Sequence, residues 1–195
     1  MIRFTAMAGR KRSETSRKAI LASTLALLRS RGYSALTIDA IAADAHVGKH
    51  TIYRWWATKA DVVLEAMIEM AAALIREPDT GSLAGDLRRF MLASVRVAER
   101  QDGIGLVLTT LMAEAQRDRE FRDRFRPFID ARRAALGRIF RRAAARGELR
   151  AGADVELVVD MVFGALWYRL LVGHASIDRA FATSIAELAA AAAGA

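Results

Sequence analysis

The chain has 195 residues, 53% of them hydrophobic and none of them cysteine, so it can bury a substantial core but cannot form disulfides or cysteine-ligated zinc sites. Its formal net charge is +8, and residues 1–60 carry all of it: 11 Lys and Arg stand against three acids there, whereas the remaining residues hold 19 of each sign. This asymmetry is typical of a nucleic-acid-binding region followed by a neutral, apolar region with a second role.

The first 12 residues are basic and precede the apolar stripe of a first helix. They lack the apolar core of a signal peptide, and no later segment reaches the roughly 20 apolar residues of a membrane span. We therefore expect a flexible basic arm over residues 1–12 and a cytoplasmic location. Apolar residues recurring every three or four positions then predict a helix from about Ser13 to Arg31, ended by Gly32.

Residues 37–56 predict two short helices joined by a tight turn. Thr37 can cap the first helix, which carries Asp39 in its first turn, and the second helix begins at Gly48. These are the proportions of a helix-turn-helix. The apolar positions that can turn inward are Leu36, Ile41, Val47, Ile52 and Trp56. The side chains left outside on the second helix suit base edges and phosphates: Lys49, His50, Thr51, Tyr53 and Arg54.

Helical patterns continue to the end of the chain, so the predicted fold class is all-α. Thr58 and Asp61 are spaced like a capping box and open a long helix towards Arg76. The further predicted helices span about 82–100, 103–116, 119–146, 154–173 and 178–193. We place a helix-turn-helix domain at residues 13–60 and a second helical domain at residues 61–195.

The segment TIDAIAADAHVGKHTIYRWWATKADVV, residues 37–63, resembles the DNA-binding signature of the TetR family of bacterial transcription regulators. The strong resemblance covers residues 13–77, and the segment DGIGLVLTTLMAEAQRD is similar to the ligand-binding and dimerising part of one subgroup. The resemblance implies about nine helices, a homodimer, double-stranded DNA as partner at an inverted-repeat operator, and repression relieved by a small molecule.

The resemblance also implies roles for single residues. The implied phosphate contacts are Thr37, Thr51, Tyr53 and Lys59. The implied base contacts lie on the helix that begins at Gly48, and they are Lys49, His50 and Arg54. Trp55 departs from the family pattern, in which Tyr or His is commoner, although an indole can also donate to phosphate.

Metal binding and catalysis find no support in the sequence. His46 and His50 are four positions apart, a metal-ligand spacing on a continuous helix, but the predicted turn separates them. No nucleophile motif, phosphate-binding loop or carboxylate cluster stands out. We expect no enzyme activity, no metal and no cofactor.

Apolar stripes in residues 61–195 favour an ordinary core, and the resemblance adds a ligand pocket between the helices. The candidate pocket residues are Phe90, Ser94, Leu108, Met112, Phe125, Phe128, Phe163 and Trp167. Because these stripes hold few polar groups, the expected ligand is apolar or aromatic.

Small residues alternate with larger apolar ones on the predicted helices at 119–146 and 154–173. This face can form a four-helix bundle with a symmetry mate, or it can pack within one chain. The candidate interface residues are Arg132, Ala135, Leu136, Ile139, Val158, Val162, Ala165 and Leu166.

The function expected from these features is a homodimeric, DNA-binding repressor that a small ligand releases from its operator. Two alternatives remain open. One is a constitutive DNA-binding dimer without a ligand, and the other is a helical carrier or enzyme with a basic face. A cavity of a few hundred Å³ in the second domain would favour the ligand-gated protein over the constitutive one.

Overall fold

The computed structural model describes residues 3–99 and 104–194, and the regular elements in these ranges are helices, as predicted. They are α1 (Arg3–Ala35), α2 (Ile38–Asp44), α3 (Lys49–Tyr53), α4 (Lys59–Leu74), α5 (Leu83–Glu99), α6 (Ile104–Arg117), α7 (Arg119–Ala145), α8 (Val155–Val172) and α9 (Arg179–Ala193). No helix in the described ranges combines the length and apolar composition needed to cross a bilayer.

Side-chain caps set several of the predicted helix starts. Thr58 and Asp61 form the expected capping box: Asp61 Oδ2 accepts the Thr58 N–H at 2.9 Å, and Thr58 Oγ1 accepts the Asp61 N–H at 3.3 Å. Asp154 and Asp178 cap α8 and α9, and each carboxylate accepts a backbone N–H three residues further on. The bounds of these helices therefore agree with the sequence pattern to within a few residues.

The first helix is longer than predicted. It begins at Arg3, so residues 3–12, expected as a flexible arm, have helical backbone. The Ala, Met, Arg and Lys residues of this segment are good helix formers, which explains the extension. At Gly32 the backbone leaves the helical conformation (φ 73°, ψ 171°), where the end of the helix was predicted.

The chain divides into two compact units. Unit 1 comprises Met1–Met70 and Thr110–Phe125, and unit 2 comprises Ala71–Thr109 and Arg126–Ala195. The division differs from the one predicted at residue 60, because part of α4 and the adjoining parts of α6 and α7 belong to unit 1. Arg124 of α7 illustrates the reason, since its Nη1 pairs with Asp61 of α4 at 2.6 Å.

Unit 1 has a core formed by α1 to α4, in which these side chains are buried: Ile20, Leu28, Ile41, Ile52 and Val63. Arg17 of α1 pairs with Glu65 and Glu69 of α4. Desolvation lowers the pKa of Arg17, but its hydrogen bonds with the two carboxylates outweigh this effect and raise it. These ion pairs hold α1 against α4, and α2 and α3 pack with these two helices in the same core.

Unit 2 has a larger apolar core drawn from α5, α7, α8 and α9, with α9 packed against both α5 and α8. Its most enclosed large side chains include Leu87, Phe90, Met91, Leu136 and Phe140. Buried Asp86 is held at the edge of this core, where its Oδ1 accepts hydrogen bonds from the Thr80 N–H at 2.6 Å and the Thr80 hydroxyl at 2.8 Å. Most apolar side chains of α5, α7, α8 and α9 therefore pack against one another within the single chain.

Candidate DNA-binding site

Helix α2 and the turn after it determine where the exposed face of α3 lies. Thr37 Oγ1 accepts the Ala40 N–H at 3.1 Å, which confirms the predicted cap of α2. His46 has a φ of 52°, in the left-handed region, and ends the helix. The Val47 N–H then donates back to the Ala42 carbonyl at 3.0 Å. The chain thus reverses within a few residues, as in the predicted helix-turn-helix.

Gly48 precedes α3 and leaves space for the ring of His50. A Cβ atom at position 48 would lie 2.6 Å from His50 Cε1 and 2.9 Å from His50 Nδ1. Both distances are shorter than real Cβ contacts, so a side chain at position 48 would displace the imidazole. Glycine therefore preserves the observed position of His50 at the start of the helix.

Helix α3 buries one side and exposes the other. Ile52 is fully buried, as are Leu36, Ile41 and Trp56, whereas Val47 is half-buried. On the other side Lys49, His50 and Arg54 are exposed, Tyr53 is 54% exposed, and Thr51 is half-buried. The division between inward and outward residues agrees with the pattern predicted from the sequence, and the outward side chains have no role in the core.

Lys49 has a partner within the protein that the sequence analysis did not identify. Its Nζ pairs with Asp39 in the first turn of α2, and both side chains are mostly exposed. An exposed pair of this kind contributes little to stability and is weakened by salt. A phosphate or a base edge can therefore compete with Asp39 for the ammonium group.

Trp55 and Trp56 are adjacent in sequence but lie in different environments. Trp56 is 3% exposed, and its Nε1–H donates to Glu65 Oε2 at 2.5 Å, so it belongs to the core of unit 1. Trp55 is 41% exposed and meets the ring of Trp56 at a centroid distance of 6.2 Å. The indole of Trp55 is thus supported by the core while it remains accessible beside α3.

Lys59, at the start of α4, is more strongly engaged by the protein than the other predicted contacts. Its Nζ donates to the Tyr33 carbonyl at 3.0 Å and lies 4.3 Å from the centre of the Tyr33 ring. Desolvation lowers the pKa of Lys59, with Glu114 opposing the change. The same surroundings raise the pKa of Tyr33 to about 12, chiefly by burial and then by nearby carboxylates.

Lys59 and Tyr33 line a cleft of about 240 Å³ in unit 1, together with Glu114, Asp118 and Arg124. The cleft walls carry both signs of charge, unlike the exposed side of α3, where Lys49 and Arg54 add positive charge beside hydroxyl and imidazole groups. A short helix with such a side chain set can donate to base edges in a major groove and to the flanking phosphates.

The residues predicted to line a ligand pocket do not all belong to one unit. Met112 and Phe125 lie in unit 1, and the other six lie in unit 2: Phe90, Ser94, Leu108, Phe128, Phe163 and Trp167. Within unit 2, Phe90 meets Phe163 edge-to-face at 6.4 Å, and Phe163 meets Trp167 at 5.4 Å. The hydroxyl of Ser94 donates to the Phe90 carbonyl at 2.9 Å, so its hydrogen is already bonded within its own helix. Three of the predicted residues thus form a continuous aromatic row.

The residues predicted to form a dimer interface face the interior of unit 2. Seven of the eight are buried in the single chain: Arg132, Ala135, Leu136, Ile139, Val158, Val162 and Leu166; Ala165 is half-buried. The side chains of Leu136, Ile139 and Val162 are fully enclosed within the single chain. This face therefore packs inside unit 2, as in the alternative given above, and a dimer interface on it stays a prediction.

Helix α8 exposes a different apolar side, which the sequence analysis missed. Leu157, Met161, Tyr168 and Leu171 are each about half exposed, and their spacing places them along one side of the helix. On α9, Leu188 is 61% exposed. We call the four α8 residues the α8 stripe. Apolar residues occupy nearly every side of Val155–Val172, so no signal in the sequence singles out this side.

Within the part of the chain that the structure describes, no three His, Asp or Glu side chains gather into a group suited to a metal ion. The break in the helix at His46 separates it from the helix that carries His50. Both imidazoles are exposed beside the helix-turn-helix.

Two family models match the chain. The one described as "Bacterial regulatory proteins, tetR family" covers residues 20–66, which include the helix-turn-helix. The one described as "Tetracyclin repressor-like, C-terminal domain" covers residues 77–189, more than half of the chain.

Individual proteins are similar over most of their length. The "Uncharacterized HTH-type transcriptional regulator YdeS" of Bacillus subtilis is 34% identical over 165 residues, covering 84% of this chain and 82% of that protein. The "DNA-binding transcriptional repressor TetR" of Mycobacteroides abscessus is 32% identical, covering 87% and 89%. The crystal structure of the "TetR family transcription regulator SCO0332" superposes with a TM-score of 0.82 at 30% identity, covering 91% and 97%. All three are described as transcriptional regulators, and none as an enzyme.

Proposed function

The chain belongs to the TetR family of DNA-binding transcriptional regulators, and from this premise we propose that it is a homodimeric repressor, released from an inverted-repeat operator by a small ligand. The observation that carries the proposal is the exposed polar side of α3. On the opposite side of this helix, Ile52 is buried and anchors the helix in the core of unit 1. We expect this repressor to act in the bacterial cytoplasm, on the nucleoid.

In the proposed complex, α3 enters the major groove and two sets of side chains divide the contacts. Those assigned to bases are Lys49, His50 and Arg54, on the helix that follows Gly48. Those assigned to phosphates are Thr37, Thr51, Tyr53, Trp55 and Lys59. Phosphate contacts fix the register of the helix on the duplex, and base contacts select the sequence. The Thr37 hydroxyl already caps α2, and it can still donate its hydrogen to a phosphate oxygen.

The proposed dimer uses the α8 stripe rather than the face first predicted. Exposed apolar residues aligned along one helix are typical of an interface between subunits. A two-fold axis beside α8 would pair the stripe with its own copy, and Leu188 of α9 would extend the contact. The two α3 helices would then read half-sites about 34–36 Å apart.

The proposed ligand site is the aromatic row of unit 2, formed by Phe90, Phe163 and Trp167. Such side chains suit an apolar or aromatic molecule. Ligand binding would act on α4, which follows the helix-turn-helix directly in the chain and has residues in both units. A shift of α4 would change the separation of the two α3 helices and weaken operator binding.

A constitutive DNA-binding dimer without a ligand is the second candidate. It is favoured by the burial of Phe90 and Phe163, which are 0% and 4% exposed and belong to one continuous core. The two candidates differ in whether any small molecule changes the affinity for the operator.

The proposed function can be tested by selecting DNA fragments with the purified full chain and sequencing them. We expect an inverted repeat, and fluorescence anisotropy should show that a single half-site binds at least about tenfold more weakly. A selected sequence without two-fold symmetry would contradict the dimeric mode of binding. Expression of a reporter behind the selected sequence should fall when the protein is present, and a rise would identify an activator instead.

A further inference from the structure

A buried arginine in unit 2 has no counter-ion among the residues that the structure describes. Arg132 of α7 is 7% exposed, and its Nη2 is enclosed without a hydrogen-bond partner among the described residues. Desolvation lowers the pKa of Arg132 to about 10, and the positive charge of Arg138 adds to the change. An enclosed, unpaired charge is among the most expensive features that a core can hold.

The carboxylate that acts on Arg132 and those that pair with the adjacent Arg133 are engaged by other arginines. Arg133, the next residue, pairs with both Asp160 and Glu156 of α8 at the surface. The negative charge of Glu77 raises the pKa of Arg132, but Glu77 itself pairs with Arg138 and lies 3.6 Å from Arg142. Because these neighbours satisfy the carboxylates, Arg132 keeps its charge without an anion from this part of the protein.

Arg132 lies at the enclosed end of the aromatic row. The guanidinium carbon lies 5.3 Å from the centre of the Phe90 ring. Phe90 leads to Phe163 and then to Trp167, which is only half-buried and forms the more exposed end of the aromatic row. A cation–π contact offsets only part of the cost of burying the charge. The row is therefore accessible only at Trp167, and it holds an unsatisfied cationic donor at its enclosed end.

We propose that Arg132 is the anion-binding group of the effector site, and that the effector is a small organic carboxylate with an apolar or aromatic body. A guanidinium donates two parallel hydrogen bonds to a carboxylate, which would satisfy the free Nη2. The body of the effector would pack against Phe163 and Trp167. This inference rests on the proposed ligand-gated function and narrows the ligand from any apolar molecule to an anionic one.

The proposal predicts that the site binds a carboxylate more tightly than a neutral amide of the same shape. Isothermal titration calorimetry on the full chain would compare benzoate with benzamide and hexanoate with hexanamide. We expect each carboxylate to bind about 10- to 100-fold more tightly than its amide, as a charge-assisted hydrogen bond in an enclosed site provides. Sodium sulfate at the same ionic strength serves as the inorganic control, and it should not bind.

Two neighbouring variants make the test specific to Arg132. Arg132→Met should abolish the preference for the carboxylate, whereas Arg133→Met, which removes the same charge at the adjacent surface position, should retain it. Circular dichroism and thermal unfolding would check the fold. Arg132→Met should be at least as stable as the parent, because an unpaired buried charge is replaced by an apolar chain of similar length.

Several outcomes would overturn the assignment: equal binding of carboxylate and amide, retention of the preference in Arg132→Met, equal binding of sulfate, or no binding of any probe. Operator affinity, measured by anisotropy with the same probes, separates this inference from the proposed function. Carboxylate binding through Arg132 without any change in operator affinity would leave the site intact and refute the ligand-gated function. Release of DNA by the same carboxylate from both Arg132→Met and the parent would support the function and refute the site.

Discussion

The cationic side chains of the two candidate binding sites lie in opposite environments. In unit 1, Lys49 and Arg54 extend into solvent beside α3, whereas in unit 2 Arg132 is enclosed beside Phe90. A solvated cation keeps its hydration until it meets a partner, and salt screens its attraction to phosphate. An enclosed cation is screened much less and discriminates strongly by charge and shape. We therefore expect binding at α3 to depend steeply on salt and binding at Arg132 to depend chiefly on the chemistry of the ligand.

The largest expected effect is a loss of stability when a new charge is placed in the core of unit 2. Leu166 of α8 is 7% exposed in the core of unit 2, so Leu166→Asp would bury a carboxylate without a partner. We expect the free energy of unfolding to fall by about 3–5 kcal/mol, enough to unfold much of the protein. Urea denaturation followed by circular dichroism would measure the change.

The matched control places the same charge on the α8 stripe. Met161 is 49% exposed, so Met161→Asp should leave the single subunit folded while it disrupts the proposed dimer. Analytical ultracentrifugation should show a dimer for the parent at micromolar concentration and a monomer for the variant. If Met161→Asp remains dimeric, or if the parent is already monomeric, the interface does not lie on the stripe.

The next effect tests whether the solvated cations select sequence. Arg54→Ala should weaken binding to the preferred operator by about 1–3 kcal/mol and broaden the preference at one or two base pairs of each half-site. Arg88→Ala, which removes an exposed arginine from unit 2, is the control and should change neither property. A selected operator sequence that stays the same after the loss of Arg54 would show that Arg54 does not read bases.

Lys59 is intermediate in exposure between the cations of α3 and the enclosed Arg132, because it is half-buried against Tyr33. If it also contacts a phosphate, Lys59→Ala should reduce the slope of log K against log salt concentration by about one unit. Binding to all sequences should weaken alike, and the same uniform loss is expected for Tyr53→Phe. An unchanged slope for Lys59→Ala would mean that Lys59 serves only the contact with Tyr33.

The smallest expected effect concerns the pair between Lys49 and Asp39. Asp39→Asn releases the ammonium group and removes a negative charge close to the DNA, so operator binding should tighten by about 0.2–1 kcal/mol at low salt. The gain should disappear at high salt. Asp44→Asn, at the other end of α2, provides the comparison. An equal gain in both variants would indicate a general charge effect rather than release of Lys49.

The helix-turn-helix could be predicted from the sequence because local signals determine it. The Thr37 cap, the buried positions Ile41 and Ile52, and the capping box of Thr58 all involve residues a few positions apart. The contact between Asp61 and Arg124 could not be predicted in this way, since 63 positions separate the two residues. Unit 1 consequently includes part of α6 and α7 that the sequence pattern placed in the second domain.

The buried and exposed sides of α8 could not be distinguished from the sequence, for a physical reason. Apolar residues occupy nearly every side of Val155–Val172, so periodicity alone does not distinguish the inward side from the outward side. In the folded unit Val162 is buried, whereas Met161, its neighbour in the chain, is exposed. The same limit applies to Arg132 and Arg133, which are successive residues of α7 on different sides of the helix. Only the tertiary structure determines that the first is enclosed and the second pairs at the surface.

The three tryptophans occupy three distinct environments, and together they make the protein its own optical probe. Trp55 is partly in water beside α3, Trp56 is sealed in the core of unit 1, and Trp167 ends the aromatic row of unit 2. Replacing two of them with phenylalanine would leave one emitting indole at a chosen position. Fluorescence from Trp55 could then report events at α3, and fluorescence from Trp167 could report events in unit 2, each recorded in real time without an attached dye.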